Sequence, residues 1–259
     1  MENNEKLKEE LKKTSNLLSH LKRPAIESIF KSITDISAEF DTNYSLVLSM
    51  NKAKESEVIG TFGTKKLQFP DIKRIQIQHI KNSNYKRINR FLSSCVPTTL
   101  PLLSVNWNSG EELLKGSLIT DSICKASQSV TKEVFLTFAE FNSENVQRIV
   151  KSANKSKRLV FWSCKIHTTD DMDFNTDSAI TYLSFAYCGH SDVSMKWNKY
   201  PKRFENIVAA ISKSNLKDSL ETININYCNI TPDEVKELLK KYNITHIKIV
   251  QQEDSPLDD

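Results

Sequence analysis

The stretch that decides the fold is Leu220 to Ile230, LETININYCNI. Numbered from its first residue, it has apolar side chains at positions 1, 4, 6 and 11 and a cysteine at position 9. Alternation at positions 4 and 6 is the period of a half-buried strand, and the apolar residue at position 11 says that the chain returns to the core after a turn. Working outward, the same register recurs. Ile180, Leu183, Phe185 and Cys188 fill positions 1, 4, 6 and 9, while Leu159, Phe161, Cys164 and Ile166 fill positions 4, 6, 9 and 11. Weaker copies lie upstream: Val134, Leu136, Ala139 and Phe141, then Leu103, Val105 and Asn108, then Ile72, Ile75, Ile77 and Ile80. A last strand, Ile244 to Ile249, lacks the tail of the unit.

Residues 75, 103, 134, 159, 183, 223 and 247 occupy position 4, so successive copies are 28, 31, 25, 24, 40 and 24 residues apart. The 40-residue interval implies an inserted loop, for which Gly189 to Tyr200 is the material. Most strands are followed by an amphipathic helical stretch, as at Ser143 to Ala153 and Pro201 to Ser212. Thr231-Pro232-Asp233-Glu234 has the residues of a helix start, with Thr as N-cap, Pro in the first turn and Glu closing a capping box. Strand-helix units cannot cover their own apolar faces, so they stack into a parallel sheet with helices outside.

This pattern resembles the leucine-rich repeat, with its LxxLxLxx(N/C)xL consensus, over about 180 residues of the chain. The resemblance implies an α/β fold: a short, ribonuclease-inhibitor-like solenoid with a concave parallel sheet. It also implies that Cys164, Cys188 and Cys228 point inward and bond buried backbone at the turn. A helical arm before the array, and heavy use of Ile, Lys, Asn and Ser (29 Lys against 7 Arg), resemble the large uncharacterised families of such proteins in ciliated protists.

The domains expected are a helical or coiled-coil arm at 1–42, a connector at 43–66, the repeat array at 67–252 and an acidic tail at 253–259. In the arm, Ile26, Ile29, Ile33, Ile36 and Phe40 step by 3, 4, 3 and 4, which is a coiled-coil seam, interrupted upstream by Pro24. Packing of this arm on the array and self-association through residues 5–40 are both open on that pattern.

The chain has 259 residues and a formal charge of +4, from 36 basic and 32 acidic side chains. The charge is not concentrated: residues 1–66 hold 11 basic and 10 acidic. A nucleic-acid partner is therefore not expected. No apolar run is long enough to span a bilayer and the N-terminus is charged, so no membrane association is expected and the chain reads as cytoplasmic, a nuclear place staying open. Five cysteines without a CxxC fit reduced thiols. The five Gly leave no phosphate cradle, and GTFGTK at 60–65 lacks the P-loop spacing. Asp170, Asp171, Asp173 and Asp177 lack the Gly and Glu of an EF-hand loop, the five histidines form no HExxH group, and no GxSxG elbow is present. The expectation is a protein that is not an enzyme and needs no cofactor.

Positions 2, 3, 5, 7 and 8 are expected to face out of the concave sheet. Position 8 reads His79, Trp107, Phe138, Ser163, Tyr187 and Tyr227, with Trp162 at position 7 beside the one small residue. These aromatics, among polar neighbours such as Gln76, Gln78, Asn106, Asn224 and Asn226, are the expected protein-binding row. Cover by a segment of the same chain is the competing expectation. A regulator of a small GTPase, as one branch of the family implies, and a single-stranded nucleic-acid binder are the alternative functions.

Overall fold

The computed structural model describes residues 39–40, 45–49, 73–80, 85–94, 96, 98–107, 114–174, 177–188, 201–226, 228 and 230–251. The chain is α/β. Strands β1 (Glu39–Phe40), β2 (Ser45–Ser49), β3 (Arg74–Ile80), β4 (Leu100–Trp107), β6 (Val130–Thr137), β8 (Arg158–Trp162), β10 (Tyr182–Ser184), β11 (Thr222–Asn224) and β12 (Lys248–Val250) form one sheet, in that spatial order. Only β1 and β2 pair antiparallel, and every neighbouring pair from β2 to β12 is parallel. Strands β5 (Leu114–Lys115), β7 (Ala139–Phe141) and β9 (Lys165–Ile166) form a second, small parallel sheet.

The register of the large sheet reproduces most of the sequence register. Ile75 pairs with Leu103, Leu103 with Val134, Val134 with Leu159, Leu159 with Leu183 and Leu183 with Ile223. Two differences stand out. Ile223 pairs with Ile249, so position 4 of the last strand is Ile249 and not Ile247. The sheet also extends beyond the repeat boundary expected at residue 67. Leu46 pairs with Ile75, within the stretch expected to be a connector, because Ser-Leu-Val-Leu-Ser alternates as a strand does. Glu39 and Phe40, at the end of the expected arm, are extended rather than helical. The remainder of the arm, the loop 189–200 and the tail from residue 252 lie outside the described residues.

Helices α1 (Tyr85–Ser94), α2 (Thr120–Ser127), α3 (Ser143–Ser152), α4 (Pro201–Ser212), α5 (Leu216–Ser219) and α6 (Pro232–Lys241) fall between the strands. Their buried apolar residues join one core with those of the sheet: Ile88, Phe91 and Leu92 from α1, Val146, Ile149 and Val150 from α3, Val235 and Leu239 from α6. Two helices start as their sequences dictate. Asn142 accepts from the Asn145 amide at 2.8 Å, and Thr231 and Glu234 close a reciprocal capping box behind Pro232.

The core under the sheet is made by positions 4 and 6. Ile75, Ile77, Val105, Val134, Leu136, Leu159, Phe161, Leu183, Phe185, Ile223 and Ile225 are fully buried. Along it run aromatic contacts: Trp107 to Phe141 at 6.1 Å, Phe141 to Phe161 at 5.8 Å, Phe161 to Phe185 at 5.7 Å and nearly parallel, Phe185 to Phe204 at 6.2 Å. Gly116 sits against Phe141 so closely that a Cβ there would lie 2.7 Å from the Glu140 carbonyl oxygen.

Candidate docking face on the open side of the sheet

Side chains alternate across a strand, so positions 4, 6 and 8 share a face while the strand stays regular. For position 8 to leave the core, the backbone must turn there. It does so in four copies: His79, Phe138, Ser163 and Tyr187 have φ of 57°, 55°, 50° and 56°. The turn is stitched in both directions. The amides of Phe138, Ser163 and Tyr187 donate forward to the position-7 carbonyls of Trp162, Ala186 and Asn226, at 3.1, 2.9 and 2.8 Å. The position-9 thiols bond backward to position-6 carbonyls: Cys164 to Leu136 at 3.5 Å, Cys188 to Phe161 at 3.4 Å, Cys228 to Phe185 at 2.6 Å. These three cysteines are fully buried. Burial pushes the Cys188 thiol far up and that of Cys228 up to about 12, so both are held protonated as donors.

Trp107 corrects the expected row. No turn interrupts β4, and Leu103, Val105 and Trp107, on alternate positions, are all buried. The Trp107 ring faces the core, edge-on to Phe141, and its indole nitrogen finds no hydrogen-bond partner among the described residues. The physical reason is the pleat: without a left-handed residue, position 8 follows positions 4 and 6 inward. The neighbouring β3 shows the alternative. There the ladder shifts between Ile77 and Ile80, with His79 as the left-handed residue of the bulge.

The other row members separate into two groups. Trp162 and Tyr187 come together, ring centroids 4.5 Å apart and tilted by 44°. Phe138 is half-buried and packs against the core, its amide tied to the Trp162 carbonyl. His79, half-buried at the end of β3, stands two strands from Phe138 across the inward Trp107. Tyr227 lies outside the described residues.

Two outward residues lay outside the expected row. Phe135, position 5 of β6, lies 6.3 Å from Trp162. Tyr182, position 3 of β10, carries the Arg158 guanidinium at 3.7 Å over its ring and accepts a hydrogen bond from Asn224 at 2.8 Å. Arg158 in turn pairs with Glu133 at 2.8 Å. The signal for both was present, since positions 3 and 5 belong to the outward set. Between these large side chains the small ones, Val160, Ser184 and Ala186, are buried. The result is an aromatic and polar surface over β6, β8, β10 and β11, on the side of the sheet opposite the core that the described helices share. Its chemistry is that of contact: ring faces and edges, one stacked guanidinium and amide groups.

Other candidate sites come to little. Among the described residues no group of His, Cys, Asp or Glu is placed to hold a metal ion. Asp171 and Asp177 accept from Thr169 and Asn215, and the Asp173 backbone amide donates to the Gln147 side-chain oxygen. No described helix is long and apolar enough to cross a membrane.

No protein-family model matches this sequence. No curated protein matches it either.

Proposed function

We propose that this chain is a non-enzymatic interaction module built as a leucine-rich repeat solenoid, which holds a protein or peptide ligand on the open face of its sheet. The repeat reading is supported by the shared register of Leu103, Val134, Leu159, Leu183 and Ile223 and by the cysteines that bond backward at position 9. The described cysteines are free thiols, which favours a reducing compartment such as the cytoplasm.

One observation carries the functional reading: Phe135, Trp162 and Tyr187 gather on the face opposite the core that the described helices share, and Tyr187 does so from a left-handed backbone. A non-glycine residue in that region costs about 1–2 kcal/mol, and Gly or Asn would make the same turn more cheaply. A fold needing only the turn has no use for Phe at 138 or Tyr at 187. Aromatic side chains held in place by neighbours, with little rotamer freedom left to lose, are what binding surfaces use as anchors.

The test compares the full chain with a Trp162→Ala/Tyr187→Ala variant, each immobilised in a cell extract and each melted by circular dichroism. The expected result is a protein retained by the parent and lost by the variant, with melting temperatures that agree closely. An unchanged set of retained proteins would refute the docking face. So would a variant that loses its cooperative melt, since the cluster would then belong to the fold.

A further inference from the structure

The open face is not electrically even. Its middle rows, positions 5 and 7, carry no charge on any strand from β3 to β11. At the start of the strands, positions 2 and 3 supply Lys73 and Arg74 on β3, Lys132 on β6 with Glu133 beside it, and Lys157 and Arg158 around the start of β8. Lys132 and Lys157 are exposed, and Glu133 is the only carboxylate among these positions on β3, β4, β6 and β8, already engaged by Arg158. The carboxylates Asp177, Asp218 and Glu221 belong to the β10 and β11 side, Asp177 and Asp218 lining a shallow groove with Lys157. The basic rim therefore adjoins the aromatic cluster on its β6 and β8 side, and on the far side the exposed Lys248 takes position 3 of β12 beyond β11.

Resting on the docking reading above, we propose that the ligand of this face is an acidic peptide segment of a protein. Its apolar anchor sits on Trp162 and Tyr187, and its carboxylates lie over Lys132, Lys157 and Arg158. The rise of a strand separates positions 3 and 7 by on the order of 13 Å, so anchor and carboxylates are about three to five residues apart in an extended ligand. Nucleic acid fits less well. Stacked bases need open ring faces, whereas Trp162 has Tyr187 against it at 4.5 Å and Tyr182 lies under Arg158.

The experiment selects from a phage-displayed library of random twelve-residue peptides on the immobilised full chain. Parallel selections use Lys132→Glu/Lys157→Glu and Trp162→Ala/Tyr187→Ala, and labelled oligothymidine serves as a polyanion probe. The expected result is enrichment of peptides with Asp or Glu about three to five residues from an aromatic or branched aliphatic residue. The charge-reversal variant should bind those peptides about tenfold or more weakly, and raised salt should weaken them on the parent. Enriched peptides without acidic residues that still need Trp162 and Tyr187 would overturn the acidic ligand and leave the docking face standing. Enrichment indifferent to Trp162 and Tyr187 would overturn both. Oligothymidine bound more tightly than the selected peptides, and competing with them, would replace the peptide by single-stranded nucleic acid.

Discussion

Strands β3, β4 and β6 are 7, 8 and 8 residues long, whereas β8, β10 and β11 have only 5, 3 and 3. The long strands hold their neighbours by many ladder bonds, and position 9 is Ile80 after β3 and Ala139 after β6. The short ones have cysteine there, and each thiol reaches back to the unit before it. One register is thus kept in two ways: by length of sheet on one side, and by side-chain stitching where the sheet is short.

Several substitutions would break or sharpen that contrast. The largest effect is expected from Phe161→Ala, which removes a fully buried ring between Phe141 and Phe185 in the short-strand half. It should cost about 3–5 kcal/mol in urea denaturation. Cys188→Ala leaves the Phe161 carbonyl without its thiol and should cost about 1–3 kcal/mol. A matched trim in the long-strand half, Ile80→Val, should cost only about 0.5–1.5 kcal/mol. Equal losses in the two halves would remove the distinction.

Alkaline titration addresses the same thiols. Cys228 keeps its proton up to about pH 12 when folded, against an ordinary value of 9.0. Between those limits the unfolded chain binds fewer protons, so stability should be level below about pH 9 and fall as pH rises towards 12. Cys228→Ala should flatten that fall in chemical melts run across the range. The smallest effect is expected at Ser163, which has the left-handed turn without an aromatic ring. Ser163→Gly should be neutral or stabilising by up to about 1 kcal/mol, read from the shift in urea midpoint.

How much of this was legible in the sequence depends on the kind of information. The pairings from Ile75 to Ile223 follow from where apolar residues recur, because only one register buries both positions 4 and 6. The last strand escaped by two residues. Ile247 and Ile249 have the same parity, and without the tail of the unit nothing chooses between them. The outward row was only half legible. Whether position 8 faces in or out is settled by the sign of φ at that residue, and His, Phe, Ser and Tyr do not advertise a left-handed turn as Gly or Asn would. Trp107 therefore read as surface and proved to be core, while Phe135 and Tyr182 were in the outward register all along.

The order of the sheet has a further consequence. Among the described residues β12 stands at the end of the sheet order beside β11, and its Ile249 is half-buried where the same position on the inner strands is sealed. Amide exchange should therefore run as a gradient along the strand order. Protons on β12 would be lost first, those of β6 and β8 last, and the chain would open like a zip from one end rather than as a single unit.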